Sequence, residues 1–302
     1  MTDFRMRVAG LDVAVRSIHD RIRIQCADYL IASRGFDADA READLAVATT
    51  QSDIDHERTI GEPGDWRDDY LETLAVFRRI AEYGPMHDRL VFHGATIEVD
   101  GRAYIFTAPS GTGKSTHIRL WRRVFGDRVA IINGDKPILR IERDSSGGAP
   151  RVVAYGTPWA GKEGWQRNVS APLGGICVVE RAVPADASAL RDSAAHAYPA
   201  TASRVAESIL LHDAARDPIP EIATPNGPAF LDDDGVPNTC VRLTVDEALP
   251  VVLRQTYMPA DPLAAAATLG LLDTLLRTVP IHRLTCTISQ AAVQASSTAL
   301  LP

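Results

Sequence analysis

Residues 108–116 read Ala-Pro-Ser-Gly-Thr-Gly-Lys-Ser-Thr, a spacing of glycines, lysine and hydroxyls suited to gripping phosphate oxygens. Gly111 and Gly113 let backbone N–H groups turn inward, and the helix that should follow adds the positive end of its dipole. Ser110, Gly111, Thr112, Gly113 and Thr116 are therefore expected to line a nucleotide's phosphates. Lys114 is expected to reach the β- and γ-phosphates, with a side chain that faces ligand or solvent. Ser115 is expected to ligate Mg²⁺. The competing reading is a chance Gly-Ser turn. The flanks oppose it, with an apolar run over 103–107 before the loop and a helical pattern over 117–125 after it.

A phosphate loop alone says nucleotide; phosphoryl transfer also needs a carboxylate on the metal side. Asp135, in Asn133-Gly134-Asp135 directly after an apolar run, fills that role through the metal or its water; the alternative is a turn-forming aspartate. His93, in Phe92-His93-Gly94, is placed either to relay a proton or steady charge near the γ-phosphate, or to serve as a structural histidine. The Gly/Pro-rich segment 155–164 carries Trp159 and Lys162. Lys162 could bridge the γ-phosphate and the acceptor. Trp159 could be a wall for base or substrate, or a core residue at a structural turn. Arg167 and Asn168 follow and could finish the pocket.

These residues need a scaffold. Alternating runs at 90–99 and 102–107, joined by Asp100-Gly101, predict a hairpin leading into the loop. Further strands are expected at 128–133, 137–142, 151–155, 174–180 and 281–287. Helices are expected at 18–31, 69–82, 200–214, 244–257 with a Thr244/Glu247 capping box, 261–278 and 289–300. Strands at 4–8, 11–16 and 44–50 belong to a first α+β lobe; 51–66 reads mostly as loop. The Pro/Gly/Asp-rich stretch 217–237 reads as a long loop or lid.

The 302 residues carry 32 Lys and Arg against 39 Asp and Glu, a net charge of −7, which argues against a nucleic-acid or membrane-surface binder. Four scattered cysteines without a CxxC pair suggest neither a zinc site nor a disulfide framework. With no apolar leader or membrane-length run, the expected location is the cytoplasm.

The chain resembles the kinase domain of the HPr kinase/phosphorylase family and its phosphoenolpyruvate-carboxykinase-like relatives. The resemblance rests on His93-Gly94, Ala108–Thr116, Asn133-Gly134-Asp135 and Gly156–Lys162, and covers roughly residues 86–182 and 244–302. It implies an α/β fold: a carboxykinase-like P-loop kinase core over 86–302, with an insertion at about 184–243, behind a small α+β N-terminal lobe over 1–85. It implies ATP- and Mg²⁺-dependent transfer of the γ-phosphate to a hydroxyl, with Lys114, Asp135, His93 and Lys162 as catalytic residues and Ser115 and Asp135 on the metal. The acceptor would be a peptide or protein serine or a small-molecule alcohol, and a homo-oligomer is compatible. One departure stands out. The family has two consecutive aspartates after this strand, the first acting as base; here the first position is Gly134. A nucleotide-gated binding module with weak or no phosphotransfer is the alternative that Gly134 favours.

Overall fold

A computed structural model describes residues 1–61, 63–109, 111–143, 147–182, 221–224 and 227–302. The chain is a mixed α/β protein with two sheets. The first has the order β3-β1-β2-β4, from β1 (Thr2–Val8), β2 (Leu11–Ser17), β3 (Leu30–Ile31) and β4 (Leu45–Ala48). Short helices α1 (Arg21–Gln25) and α2 (Phe36–Asp39) lie between its strands. The region 18–31 was expected to be one helix; it breaks after Gln25 into a 3-10 turn and the short β3.

Two longer helices follow, α3 (Gln51–Ile60) and α4 (Asp68–Tyr83). α3 stands where a loop was expected. The Thr50 hydroxyl accepts from the Asp53 amide and the Asp53 carboxylate from the Thr50 amide, a capping box that starts a helix in a charged segment. α4 buries Val76, Phe77 and Ile80 against the first sheet and also buries Glu72. The Glu72 carboxylate accepts from the Ile18 and His19 amides at 2.6 and 2.8 Å and from the Thr49 hydroxyl. A buried carboxyl group of this kind is tolerated because donors surround it.

The large sheet begins with β5 (Arg89–Val91), β6 (Ala95–Val99) and β7 (Arg102–Thr107). The β6–β7 hairpin turns at Asp100 and Gly101, both at positive φ (49° and 79°), the requirement of a tight two-residue turn. The glycine-rich loop then leads into α5 (Lys114–Phe125). After it come β8 (Val129–Asn133), β9 (Ile138–Glu142), β10 (Arg151–Tyr155) and the long β11 (Ser170–Arg181). β11 joins the halves: its start pairs antiparallel with β10, and its remainder lies parallel to β7. The segment expected as a loop or lid at 217–237 instead contributes strands where it is described. They are β12 (Glu221–Thr224), β13 (Gly227–Leu231) and the start of β14 (Pro237–Arg242). Asp232 closes the β13–β14 turn, its carboxylate accepting from the Asp234 and Val236 amides. Most of the expected insertion, and the helix expected at 200–214, lie outside the described residues.

The chain ends with α6 (Val245–Arg254), α7 (Pro262–Thr278), β15 (Ile281–Cys286) and α8 (Gln290–Leu300). Strand β15 lies parallel to β11 and antiparallel to β14. One face of the sheet packs on α6 and α7, the other on α5 and α8. A third apolar cluster runs from the first sheet and α4 into Val91, Ile138 and Trp159, so the N-terminal residues bear directly on the segment after β10.

Candidate phosphate and metal site

The loop after β7 is shaped by its glycines. Gly111 and Gly113 have φ of 76° and 113°, in the left-handed region that other residues avoid. A Cβ at either would meet nothing within 4 Å, so backbone conformation, not crowding, requires glycine there. Gly113 is the N-cap of α5, and Lys114, Ser115 and Thr116 form its first turn. Ser110 lies outside the described residues. Arg181, at the end of β11, donates to the Gly111 carbonyl at 2.6 Å and braces the loop from outside.

Lys114 differs from expectation. Its side chain is only 9 % exposed, and Nζ donates to the Ala108 carbonyl at 2.8 Å and to Pro109 at 3.4 Å. A lysine long enough to span the loop curls onto these carbonyls because they are the nearest acceptors. Burial pushes its pKa down; nearby Asp135 partly offsets this, and Lys136 adds to it.

Strands β7 and β8 flank β6 on either side and end at the same edge of the sheet, which brings the glycine loop and Asp135 to one end. Burial alone would raise the Asp135 carboxyl, but His93 and Lys136 hold it well below the usual carboxylate range. His93 Nε2 lies 3.2 Å from Oδ1, and Lys136 Nζ donates to Oδ2 at 2.7 Å. The other imidazole nitrogen lies 2.7 Å from Gln255 Oε1. Both ring nitrogens thus face acceptor oxygens, one of a carboxylate and one of an amide. The Gly94 amide donates to the Asp135 carbonyl at 2.8 Å and ties the histidine strand to this turn.

The position before Asp135 is closed to a side chain. A Cβ on Gly134 would stand 2.6 Å from the Ala160 carbonyl oxygen, so no side chain fits there. The segment after β10 presses on Asp135 as well: a Cβ on Gly161 would lie 3.1 Å from that of Asp135. Lys162 is exposed on the same turn. Glu163 comes within 3.8 Å of Arg119, whose guanidinium lies 4.8 Å over the Trp165 ring, linking the turn to α5.

Trp159 is not a wall of this site. It is 5 % exposed, stacks on Phe77 at 4.4 Å between ring centres, and donates through Nε1 to the Thr73 carbonyl at 2.9 Å. Asn168 likewise turns to the N-terminal residues, donating to the Asp28 carbonyl at 2.9 Å. Residues to which the sequence assigned no role at the site are Lys136, Gln255, Asn133 and Arg181, although Asn133 lies in the Asn-Gly-Asp run. Lys136 also had a visible signal, its place directly after Asp135.

On α5, His117 is fully enclosed one turn past Lys114. It accepts from Trp121 Nε1 at 3.1 Å and lies 3.1 Å from Ser296 Oγ, joining α5 to α8. Burial pushes its pKa down to about 3, so the imidazole is neutral.

These residues fit a nucleotide polyphosphate with magnesium. The loop amides and a buried ammonium offer an anion cradle, and the Ser115 hydroxyl and Asp135 carboxylate supply hard oxygens. Among the described residues no cluster of three or more His, Cys, Asp or Glu is arranged to hold a metal. Magnesium in phosphate sites needs none, because one or two protein oxygens suffice beside phosphate and water. Also among the described residues, no helix is long and apolar enough to cross a membrane.

No family model matches the chain, and no curated protein matches it. Among solved structures, an HPr(Ser) kinase/phosphatase from Coxiella burnetii aligns at 10 % identity and a TM-score of 0.21. The alignment covers 30 % of this chain and 59 % of that one, a likeness too slight to establish fold or activity.

Proposed function

We propose that the chain is an ATP- and Mg²⁺-dependent kinase with a carboxykinase-like core, which transfers the γ-phosphate to the hydroxyl of a peptide or protein serine or of a small molecule. One observation carries this reading: two left-handed glycines open a helix at Lys114, and Asp135 follows β8, which flanks β6 opposite the strand that leads into this loop. The amides of residues 111–115 orient the phosphates, and Lys114 leaves the loop carbonyls to face them. Ser115 and Asp135 would hold Mg²⁺, which would supply charge neutralisation on the phosphate oxygens. The depressed Asp135 pKa suits this role, since a carboxylate that resists protonation is a good metal ligand and a poor base.

The acceptor oxygen attacks phosphorus, the bond to the β-phosphate oxygen breaks, ADP leaves, and the hydroxyl proton passes to solvent. A loose transition state asks little of a base, which accords with the absence of a side chain at Gly134. Exposed Lys162, and half-buried Lys136 paired with Asp135, are the cations that would meet the acceptor or the transferred phosphoryl group.

The closed position at Gly134 also favours a second reading, a nucleotide-gated binding module. Incubation with γ-labelled ATP and panels of serine peptides and polyols separates the two. Label on an acceptor, with matching ADP release, supports the kinase. Nucleotide binding without label on any acceptor supports the binding module.

A further inference from the structure

The turn that carries Asp135 is locked to the segment after β10 by a closed ring of hydrogen bonds through two fully buried side chains, Asn133 and Thr157. Asn133 Oδ1 accepts from the Asp135 amide at 2.8 Å and the Lys136 amide at 2.7 Å, using both of its lone pairs. Its Nδ2 donates to the Thr157 carbonyl at 3.0 Å and lies 3.2 Å from the Thr157 hydroxyl. That hydroxyl donates to the Lys136 carbonyl at 2.7 Å, while the Trp159 amide donates to it at 3.2 Å. The ring runs from the end of β8 through the Asp135 turn to the neighbouring segment and back. The same turn and segment also approach closely where Gly134 meets Ala160 and where Gly161 meets Asp135.

We propose that Asn133 and Thr157 are positioning residues that fix the Asp135 carboxylate against the 156–162 segment, so that the metal acid and Lys162 move as one body. The inference rests on the kinase reading for its catalytic consequence, but the coupling itself does not. Polar groups that orient a metal ligand commonly change metal affinity or activity by about 10- to 100-fold when removed. A buried ring with every member satisfied holds one geometry, and loss of one hydroxyl strands three partners at once.

The test uses the full chain with Thr157→Val, which keeps the shape and removes the hydroxyl, and Thr157→Ser, which restores it. Thr157→Ala, which leaves room for a water, serves if the valine variant does not fold. Two readouts are taken: amide hydrogen exchange over 133–136 and 157–162, and the Mg²⁺ concentration giving half-maximal ATP turnover. The expected result is faster exchange in both segments together and a Mg²⁺ requirement about 10-fold higher in the valine variant, with the serine variant near wild type. Faster exchange confined to 157–162, or an unchanged Mg²⁺ requirement beside a lowered melting temperature, overturns the proposal and leaves a purely structural contact. Absence of turnover in the wild type would count against the kinase reading alone, because the paired exchange still decides the coupling.

Discussion

Replacing Lys114 with methionine separates a phosphate-binding lysine from a structural one. The two side chains have similar volume, so packing is preserved. The variant loses the hydrogen bonds to Ala108 and Pro109, of 2.8 and 3.4 Å. Bonds from a charged donor are worth about 1.5–3 kcal/mol. It also loses the cost of keeping an ammonium out of water, about several kcal/mol for a buried ion. The two nearly cancel, and stability should stay within about 1 kcal/mol of wild type, roughly 2–4 °C in melting temperature for a chain of this size. Binding should behave otherwise. One lost ammonium–phosphate bond of about 1.5–3 kcal/mol weakens ATP about 10- to 150-fold. Thermal unfolding and titration with a fluorescent ATP analogue measure the two effects separately. Affinity within about twofold of wild type would refute the assignment, since each tenfold corresponds to about 1.4 kcal/mol. A large loss of stability with binding intact would make Lys114 a bolt for its own loop.

Gly134→Asp should not install a base: its Cβ would stand 2.6 Å from the Ala160 carbonyl, so we expect a destabilised protein and no gain in turnover, and a rise in turnover would contradict this. Overpacking of this kind costs about 1–3 kcal/mol. Trp159→Phe should lower stability by about 1 kcal/mol through the lost bond to Thr73 and leave ATP affinity unchanged; weaker ATP binding at an unchanged melting temperature would return the indole to the nucleotide site. His117 has a folded pKa of about 3, below its usual 6.5. The unfolded chain therefore takes up the proton first, and this contribution to stability, complete above pH 6.5, is lost as pH falls toward 3. The loss is about 1.4 kcal/mol per pH unit, and His117→Gln should show a shallower acid decline in denaturant titrations; parallel declines would exclude His117 as the cause.

What could be read in the sequence was what is local in the chain. The glycine loop before α5 is a run of consecutive residues, the β6–β7 turn is Asp100-Gly101, and the α6 cap is Thr244 with Glu247, so each carries its own signal. The α3 cap was equally local, but its helix is charged enough to resemble a loop. The hairpins of β12–β14 were hidden by turn residues such as Asp232 and Gly235, which punctuate strands as well as loops. Trp159 shows a different limit. An aromatic residue beside glycines is as consistent with a pocket as with a core, and only the packing of α4 decides between them. The Asn133–Thr157 ring joins positions 24 apart, a separation at which no periodicity links two polar residues. The burial of Lys114 depends on how the loop closes on itself, which spacing does not record.

The central claim is that the loop before α5 and the carboxylate after β8 together hold a magnesium–triphosphate. Calorimetric titration of ATP, with and without Mg²⁺, into the wild type and Asp135→Asn tests it most directly. The account predicts saturable one-to-one binding by the wild type that weakens when Mg²⁺ is withdrawn, and an Asp135→Asn variant that binds ATP with little response to Mg²⁺. No heat of binding in the wild type with both present, or an unaltered magnesium response in the variant, would contradict it.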